Sequence, residues 1–521
     1  MKIFDHIPAL IVAVPLLAAF LAPVVGRINK KAIGIFTLIA LAISLIFTII
    51  LAFRVFSIGP QVYVFGEKFP SLTLPSGLKF PIRIIFQIDA LGIFMGLITA
   101  VLSFLAAFYS LAFINKKDIT YNYYSLLLLL TVSMFGMVLT GDIFNFFVFF
   151  EIASMSSVAL ICYRGTDLGE PIEAAYKYMI VSSISALMVL FAISIYYGQY
   201  DVLNIAALAK AIQYSQLDKI ALGILLSVLA MKAGAVPMHM WTPDAYSEAP
   251  APITMILVAA SQVSLYAIFR IVFTLYNIKL NTLTIGWIMI ILGVLSMFVG
   301  VTMAIIQKDI KRLIAYNAVS QTGYILLGVG VGLAVLTNPI ALQRYGIVAL
   351  EGGIFQIINC AIYEGLLFLT AGALFFKTGT RNLDKMGGLA HYMKYTTIFF
   401  IIGVAAISGL PPFNGFASKL LIYESVYKFN PLLSIIAMVV SILTLASFIK
   451  VFNSAFLGPK LSQFKEVKEV PPSMILAMAV LSCIIIFFGL FPDLIVKNLV
   501  HPAVMSLIEQ FKYTSTVLGG M

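Results

Sequence analysis

Apolar runs of about 20 residues, each bounded by short polar or basic stretches, recur from one end of the 521-residue chain to the other. A helix of that length crosses roughly 30 Å of hydrocarbon, so the pattern predicts membrane spans and no water-soluble domain. Fourteen spans are expected, near residues 7–25, 32–57, 84–113, 121–140, 142–163, 174–197, 219–243, 249–275, 283–306, 313–336, 348–376, 396–426, 431–457 and 472–491. The first lacks the basic start and small-residue cleavage site of a secretory signal, and equivalent segments follow it. Residues 58–82, rich in Pro and Gly, form the longest early loop, and residues 200–216 read as a short interfacial helix. After Asp493 the chain is mildly amphipathic, which suits a tail lying on the membrane or on a partner.

Two of the expected spans are interrupted. One reads Met231-Lys-Ala-Gly-Ala-Val-Pro237, with a lysine just before the break. The other reads Ser408-Gly-Leu-Pro-Pro-Phe-Asn-Gly-Phe-Ala-Ser-Lys419, with a lysine after it. Proline removes a helical hydrogen bond and frees carbonyls, which a membrane tolerates where they line a polar cavity. Broken helices five spans apart predict two five-helix repeats of inverted topology, although kinked packing helices give the same local signal. The expected organisation is therefore 1–120 (helices 1–3), 121–275 (first repeat), 276–457 (second repeat) and 458–521 (helix 14 and tail). The fold class is an all-α integral membrane protein.

Composition agrees: 61% of the residues are hydrophobic and 11% charged, against roughly a quarter charged in a soluble protein. The net charge of +11 does not point to nucleic acid, because no basic cluster is interleaved with aromatics. The basic residues sit in short loops and are commoner in the odd-numbered ones, among them Arg27, Lys30, Lys116, Lys117, Lys308, Lys311, Arg312 and Lys385. The positive-inside rule then puts those loops in the cytoplasm of a multi-pass cell-membrane protein, with both termini outside. Cys162, Cys360 and Cys483 form no CxxC pair, which excludes a self-contained iron–sulfur cluster or c-type haem. No cofactor or metal is expected, and any electrons travel on a partner.

The buried charges carry the candidate chemistry. Glu151 lies mid-span among aromatics, in Phe146-Phe-Val-Phe-Phe-Glu-Ile-Ala. A charge at the bilayer centre costs about 2.5–3.5 kcal/mol on insertion scales, so such residues mark ion or proton pathways unless a structural ion pair offsets them. Lys232 is its natural partner at comparable depth, and a buried lysine relays protons through its neutral amine. Lys419 takes the same part in the second half, or else snorkels to the interface. Glu364, in Cys360-Ala-Ile-Tyr-Glu-Gly, is a candidate for the second-half pathway. His239, after the first break, either gates a route to the cytoplasm or is a hydrogen-bonded structural residue. Asp142, Asp244 and Glu248 lie near span ends and read as interfacial or capping groups. Ser182, Ser183, Ser185, Ser261, Gln262 and Asn359 can extend a relay through water, though membrane serines more often bond their own backbone.

These segments together resemble the proton-conducting antiporter family: the large subunits of Mrp-type sodium/proton antiporters, the antiporter-like subunits of respiratory complex I and those of membrane-bound hydrogenases. The resemblance rests on Lys232-Ala-Gly-Ala-Val-Pro-Met-His-Met-Trp-Thr-Pro-Asp-Ala-Tyr-Ser-Glu-Ala-Pro-Ala-Pro252, on Asp309-Ile-Lys-Arg-Leu-Ile-Ala-Tyr-Asn-Ala-Val-Ser-Gln-Thr-Gly-Tyr324 and on Gly409-Leu-Pro-Pro-Phe-Asn-Gly-Phe-Ala-Ser-Lys419, in that order. It implies that Glu151, Lys232 and Lys419 form a proton-conducting chain along the membrane midplane. It also implies membrane-subunit partners in a redox-driven complex such as a hydrogenase, or in a dedicated Mrp antiporter, with H⁺ and Na⁺ as ions and lipid as surroundings. The chain departs from the pattern at Gln262, where Lys or His is usual, at Gln321, and at Gln356, Cys360 and Glu364, where histidines and a lysine are usual. Those departures leave open how the halves connect, and leave a non-conducting scaffold as a rival.

Overall fold

The computed structural model describes residues 3–30, 32–65, 72–73, 79–80, 84–114, 120–164, 169–459 and 461–518. Lys116 and Lys117, used above for orientation, lie outside the described residues, as do stretches of the predicted loop 58–82. What is described of that loop and its flanks forms short strands, β1 Gln61–Val64, β2 Leu72–Thr73, β3 Lys79–Phe80 and β4 Ile85–Ile88, with β1 antiparallel to β4 and β2 to β3. The rest is helical.

The N-terminal group comprises α1 Ile7–Ile28, α2 Ala32–Ile58 and α3 Ala90–Phe113. The next group is α4 Thr120–Leu139, α5 Ile143–Ile161, α6 Gly169–Tyr200, α7 Ile205–Ala211, α8 Gln216–Lys232, α9 Trp241–Glu248 and α10 Ala251–Phe269, which a π-helical turn extends to Tyr276. Then follow α11 Thr282–Ile306, α12 Ile310–Ala334, α13 Pro339–Ala341, α14 Ile347–Thr378, α15 Lys394–Ile407, α16 Asn414–Phe429 and α17 Pro431–Val451. The chain closes with α18 Pro472–Leu490 and the short α19 Pro492–Ile495, α20 His501–Ile508 and α21 Gln510–Leu518. Side-chain caps start several of these: Asp89 on α3, Asp142 on α5 and Asp309 on α12 accept from first-turn backbone N–H groups, and Ser215 with Asp218 makes a capping box on α8.

Among the described residues, eleven helices are long and apolar enough to cross a membrane. The protein is thus a multi-pass membrane protein, while length and hydropathy do not by themselves establish all fourteen predicted spans. The three short of the mark are instructive. Predicted spans 219–243 and 396–426 are not continuous helices but pairs, α8 with α9 and α15 with α16, separated by irregular backbone at 233–240 and 408–413. Span 313–336 is the unbroken α12, whose Asn317, Ser320 and Gln321 are polar but enclosed by protein.

At each break a glycine takes a left-handed conformation, Gly234 at φ +76° and Gly409 at φ +72°, a region costly for residues with a Cβ. The two halves meet where α9 and α10 pack against α12 and α14. α11 lies against α12 so closely that backbones touch: a methyl added at Gly300 would fall 2.6 Å from the Ser320 nitrogen, and one at Gly293 2.8 Å from the Gly323 oxygen. The predicted tail docks on its own chain, with Gln510 donating to the Thr274 carbonyl and Gln87 to that of Tyr513.

Candidate functional site

Lys232 is the last residue of α8 and only 6% exposed. Its Nζ donates to the hydroxyls of Tyr178 at 2.9 Å, Ser182 at 3.0 Å and Ser154 at 3.2 Å, and sits 5.2 Å from the Phe150 ring centre. Hydrogen bonds to a charged group contribute about 1.5–3 kcal/mol each, so three of them offset the roughly 2.5–3.5 kcal/mol that burial at the bilayer centre costs. The lysine therefore does not depend on a carboxylate partner. Glu151, half-buried one turn before Ser154 on α5, makes no ion pair with Lys232 within 4.0 Å among the described residues. The two charges are close enough to act on each other through space, and Ser154, one turn after Glu151, accepts from Lys232.

The break after Lys232 is pinned by Trp241, whose Nε1 donates to the Met231 carbonyl at 2.8 Å. His239 lies inside it, 6% exposed, with its ring edge-on to Tyr316 at 6.5 Å.

Lys419 sits in the second turn of α16 and is 1% exposed, so it does not snorkel. Its Nζ donates to the Ile407 carbonyl at 2.7 Å and to Ser441 at 3.3 Å, 4.5 Å from the Tyr324 ring centre. Ile407 ends α15, so the ammonium faces the negative end of that helix. Around it runs a carboxamide lattice. Asn359 and Asn414 bond reciprocally, Asn359 donates to Ser418 at 2.9 Å, Ser418 donates to Gln356, and Gln356 donates to Gln321 at 3.1 Å and Tyr363 at 2.8 Å.

Glu364 was expected in the second-half pathway. It lines a cavity of about 10 Å³ at the junction of the halves, together with Ala233, Thr242, Ser261 and Gln262. Of the relay serines, Ser182 reaches Lys232 and Ser261 bonds Tyr246 at 2.6 Å, whereas Ser183 is exposed and Ser185 bonds the Val181 carbonyl.

Two further clusters were not anticipated. Asp89 and Arg270, 1% and 5% exposed, form a buried ion pair between the start of α3 and the end of α10. Both lie inside predicted spans, which was the available signal. The other cluster surrounds a cavity of about 390 Å³ beside α9. Asp244 binds Lys177 at 2.9 Å and Arg312 at 2.8 Å, while Arg381 binds Glu248 at 2.8 Å and Asp309 at 3.1 Å. Those carboxylates hold the Arg381 guanidinium above its usual pKa despite burial. Lys311, buried, donates to the Ala249 carbonyl. Asp244 and Glu248 are thus ion-pair partners, not helix caps.

Residues 140–444 match the family described as "NADH:quinone oxidoreductase/Mrp antiporter, TM". The chain is 30% identical to NADH-quinone oxidoreductase subunit N of Desulforudis audaxviator, over 96% of this chain and 98% of that one. A subunit in the structure of the Mrp complex from Dietzia sp. superposes with a TM-score of 0.88 at 25% identity, covering all of both chains. A subunit of the membrane-bound sulfane sulfur reductase, an archaeal respiratory membrane complex, gives 0.85 at 28% identity over 98% of this chain and all of that one. These neighbours belong to multisubunit membrane complexes.

Proposed function

Since the chain belongs to the NADH:quinone oxidoreductase/Mrp antiporter membrane family, we propose that it translocates protons, or exchanges Na⁺ for H⁺, as one subunit of a larger membrane complex. The observation that carries this reading is the pair of buried lysines, Lys232 and Lys419, each beside a helix break within the membrane. Glu151, half-buried in a membrane helix with Ser154 leading to Lys232, is the carrier at the first half's edge. His239 gates the route from that lysine to the 390 Å³ vestibule beside α9. The vestibule faces the cytoplasm and both termini face outside. The five-helix groups 121–275 and 276–457 act as inverted repeats about the α9–α10 and α12–α14 contact. The driving reaction resides in partner subunits, a redox module of the hydrogenase or sulfur-reductase kind. That is supported by the likeness to the sulfane sulfur reductase and to subunit N.

The Mrp likeness favours a second reading, a dedicated cation/proton antiporter without a redox module. Native vesicles containing the full complex separate the two: uptake that follows added reductant supports the first, and uptake that follows only an imposed pH gradient supports the second. In either, Lys232→Ala should leave an assembled complex, seen on a native gel, with ion uptake reduced about tenfold or more. Wild-type uptake in that variant, and in Glu151→Gln, would instead favour the scaffold.

A further inference from the structure

α9 stands between the first break and the other half of the chain, and has few means of its own for staying in place. It is eight residues long, begins without a side-chain cap among the described residues, and is joined to Lys232 by the irregular backbone at 233–240. A helix that short is not stable in isolation, so tertiary contacts hold it. Those at its far end come from the second half. Arg381 Nη1 donates to the Ser247 carbonyl and Nη2 to Glu248 at 2.8 Å, Lys311 donates to the Ala249 carbonyl, and Arg312 pairs with Asp244 at 2.8 Å. Arg381 is anchored in turn by Asp309, the cap of α12, at 3.1 Å from its Nε. The last carbonyls of a helix lack intrahelical partners and form its negative end, so two cations placed there meet both needs.

The near end of α9 meets the surroundings of Lys232. Trp241, its first residue, is buried, donates from Nε1 to the Met231 carbonyl at 2.8 Å, and stands edge-on to the Tyr178 ring with centres 5.0 Å apart. Met231 directly precedes Lys232, and the Tyr178 hydroxyl accepts from its Nζ at 2.9 Å. Moving α9 therefore moves both the backbone that carries the lysine and one of the hydroxyls that receive from it. The helix after the other break is held differently: α16 is bonded to α14 of its own half, through Asn414 to Asn359 and Ser418 to Gln356.

We infer that Arg381 and Lys311 are positioning residues for Lys232: from the second half they set where α9 sits, and through Trp241 and Tyr178 they set the geometry of the first half's lysine. This rests on the ion-translocating reading and adds to it a mechanical tie between the halves that runs through α9. Proton transfer needs donor and acceptor within hydrogen-bond reach, so a displacement of about 1 Å at Tyr178 lowers its rate by up to about a hundredfold.

The chain's two tryptophans are Trp241 and Trp287, so Trp287→Phe leaves Trp241 as the sole reporter, seated on the contact in question. In that background, emission and acrylamide quenching are measured on the purified full-length chain, and ion uptake on native vesicles containing the full complex. Arg381→Met and Lys311→Met should move Trp241 emission to longer wavelength, raise its quenching and lower uptake about tenfold. Arg381→Lys, which keeps the charge but loses the fork that spans Ser247, Glu248 and Asp309, should fall between these and wild type. Lys308→Ala, whose pair with Asp384 is exposed, should match wild type in both readouts. Unchanged emission and quenching in folded Arg381→Met and Lys311→Met overturn the assignment, and so does shifted emission with wild-type uptake while Lys232→Ala is impaired. Where the methionine variants fail to assemble on a native gel, Arg381→Lys decides by the same two readouts. Shifted emission with wild-type uptake in Lys232→Ala as well removes the transport reading and leaves the grip on α9 standing.

Discussion

Lys232 closes the last turn before one break, whereas Lys419 lies in the second turn after the other. Their surroundings differ more than their positions. Lys232 donates to three hydroxyls, which accept and donate interchangeably, so a proton leaving the ammonium finds oxygens able to pass it on. Lys419 donates to a backbone carbonyl and one serine beside a carboxamide lattice. A carbonyl only accepts, and a carboxamide does not readily surrender its protons. Similar breaks thus hold one lysine in a setting suited to exchange and the other in a setting suited to anchorage.

The sharpest way to break that contrast is to remove each amine. Lys232→Ala should reduce uptake about tenfold or more with little change in thermal unfolding, because its hydroxyls can re-pair with one another or with water. Lys419→Met should also destabilise, by about 1–3 kcal/mol, because the Ile407 carbonyl loses its buried donor. A fluorescence-monitored melt in detergent measures this, and equal melting of both variants would erase the distinction.

The glycines give a smaller, graded effect. Gly234→Ala should cost about 1–2 kcal/mol for its left-handed backbone, plus the displacement of Thr242, whose Oγ1 would lie 2.6 Å from the new methyl. Gly409→Ala carries the same backbone cost but meets the Lys419 Cδ at 3.0 Å, a flexible chain that can yield. The Gly234 variant should therefore melt lower. Smallest of all, Lys308→Ala removes an exposed pair with Asp384 and should leave both melting and uptake unchanged.

The breaks were legible because proline and lysine together inside one apolar run are rare and have few physical explanations. The same logic picked out Glu151, Lys232 and Lys419, and it applied equally to Asp89 and Arg270. Those two lie near the ends of their expected spans, and their pairing joins residues 181 positions apart. Hydropathy also carried Glu364 into the right helix without saying which way it faces. Its place opposite Gln262 follows from how α14 packs on α10, which no local pattern encodes. The ion pairs of Asp244 and Glu248 escape local pattern for a related reason: Arg312 and Arg381, which bind them, come from the other half of the chain.

The seam between α11 and α12 has a mechanical consequence. Gly286, Gly293 and Gly300 recur every seven residues on one helix, and Gly323 and Gly330 do so on the other. With backbone against backbone, neither helix can rotate or slide by less than a full repeat without collision, so the pair moves as one stiff plank. Spin labels placed across it should keep a fixed separation through every stage of turnover. The molecule thereby carries its own yardstick, against which any motion of the two breaks can be measured.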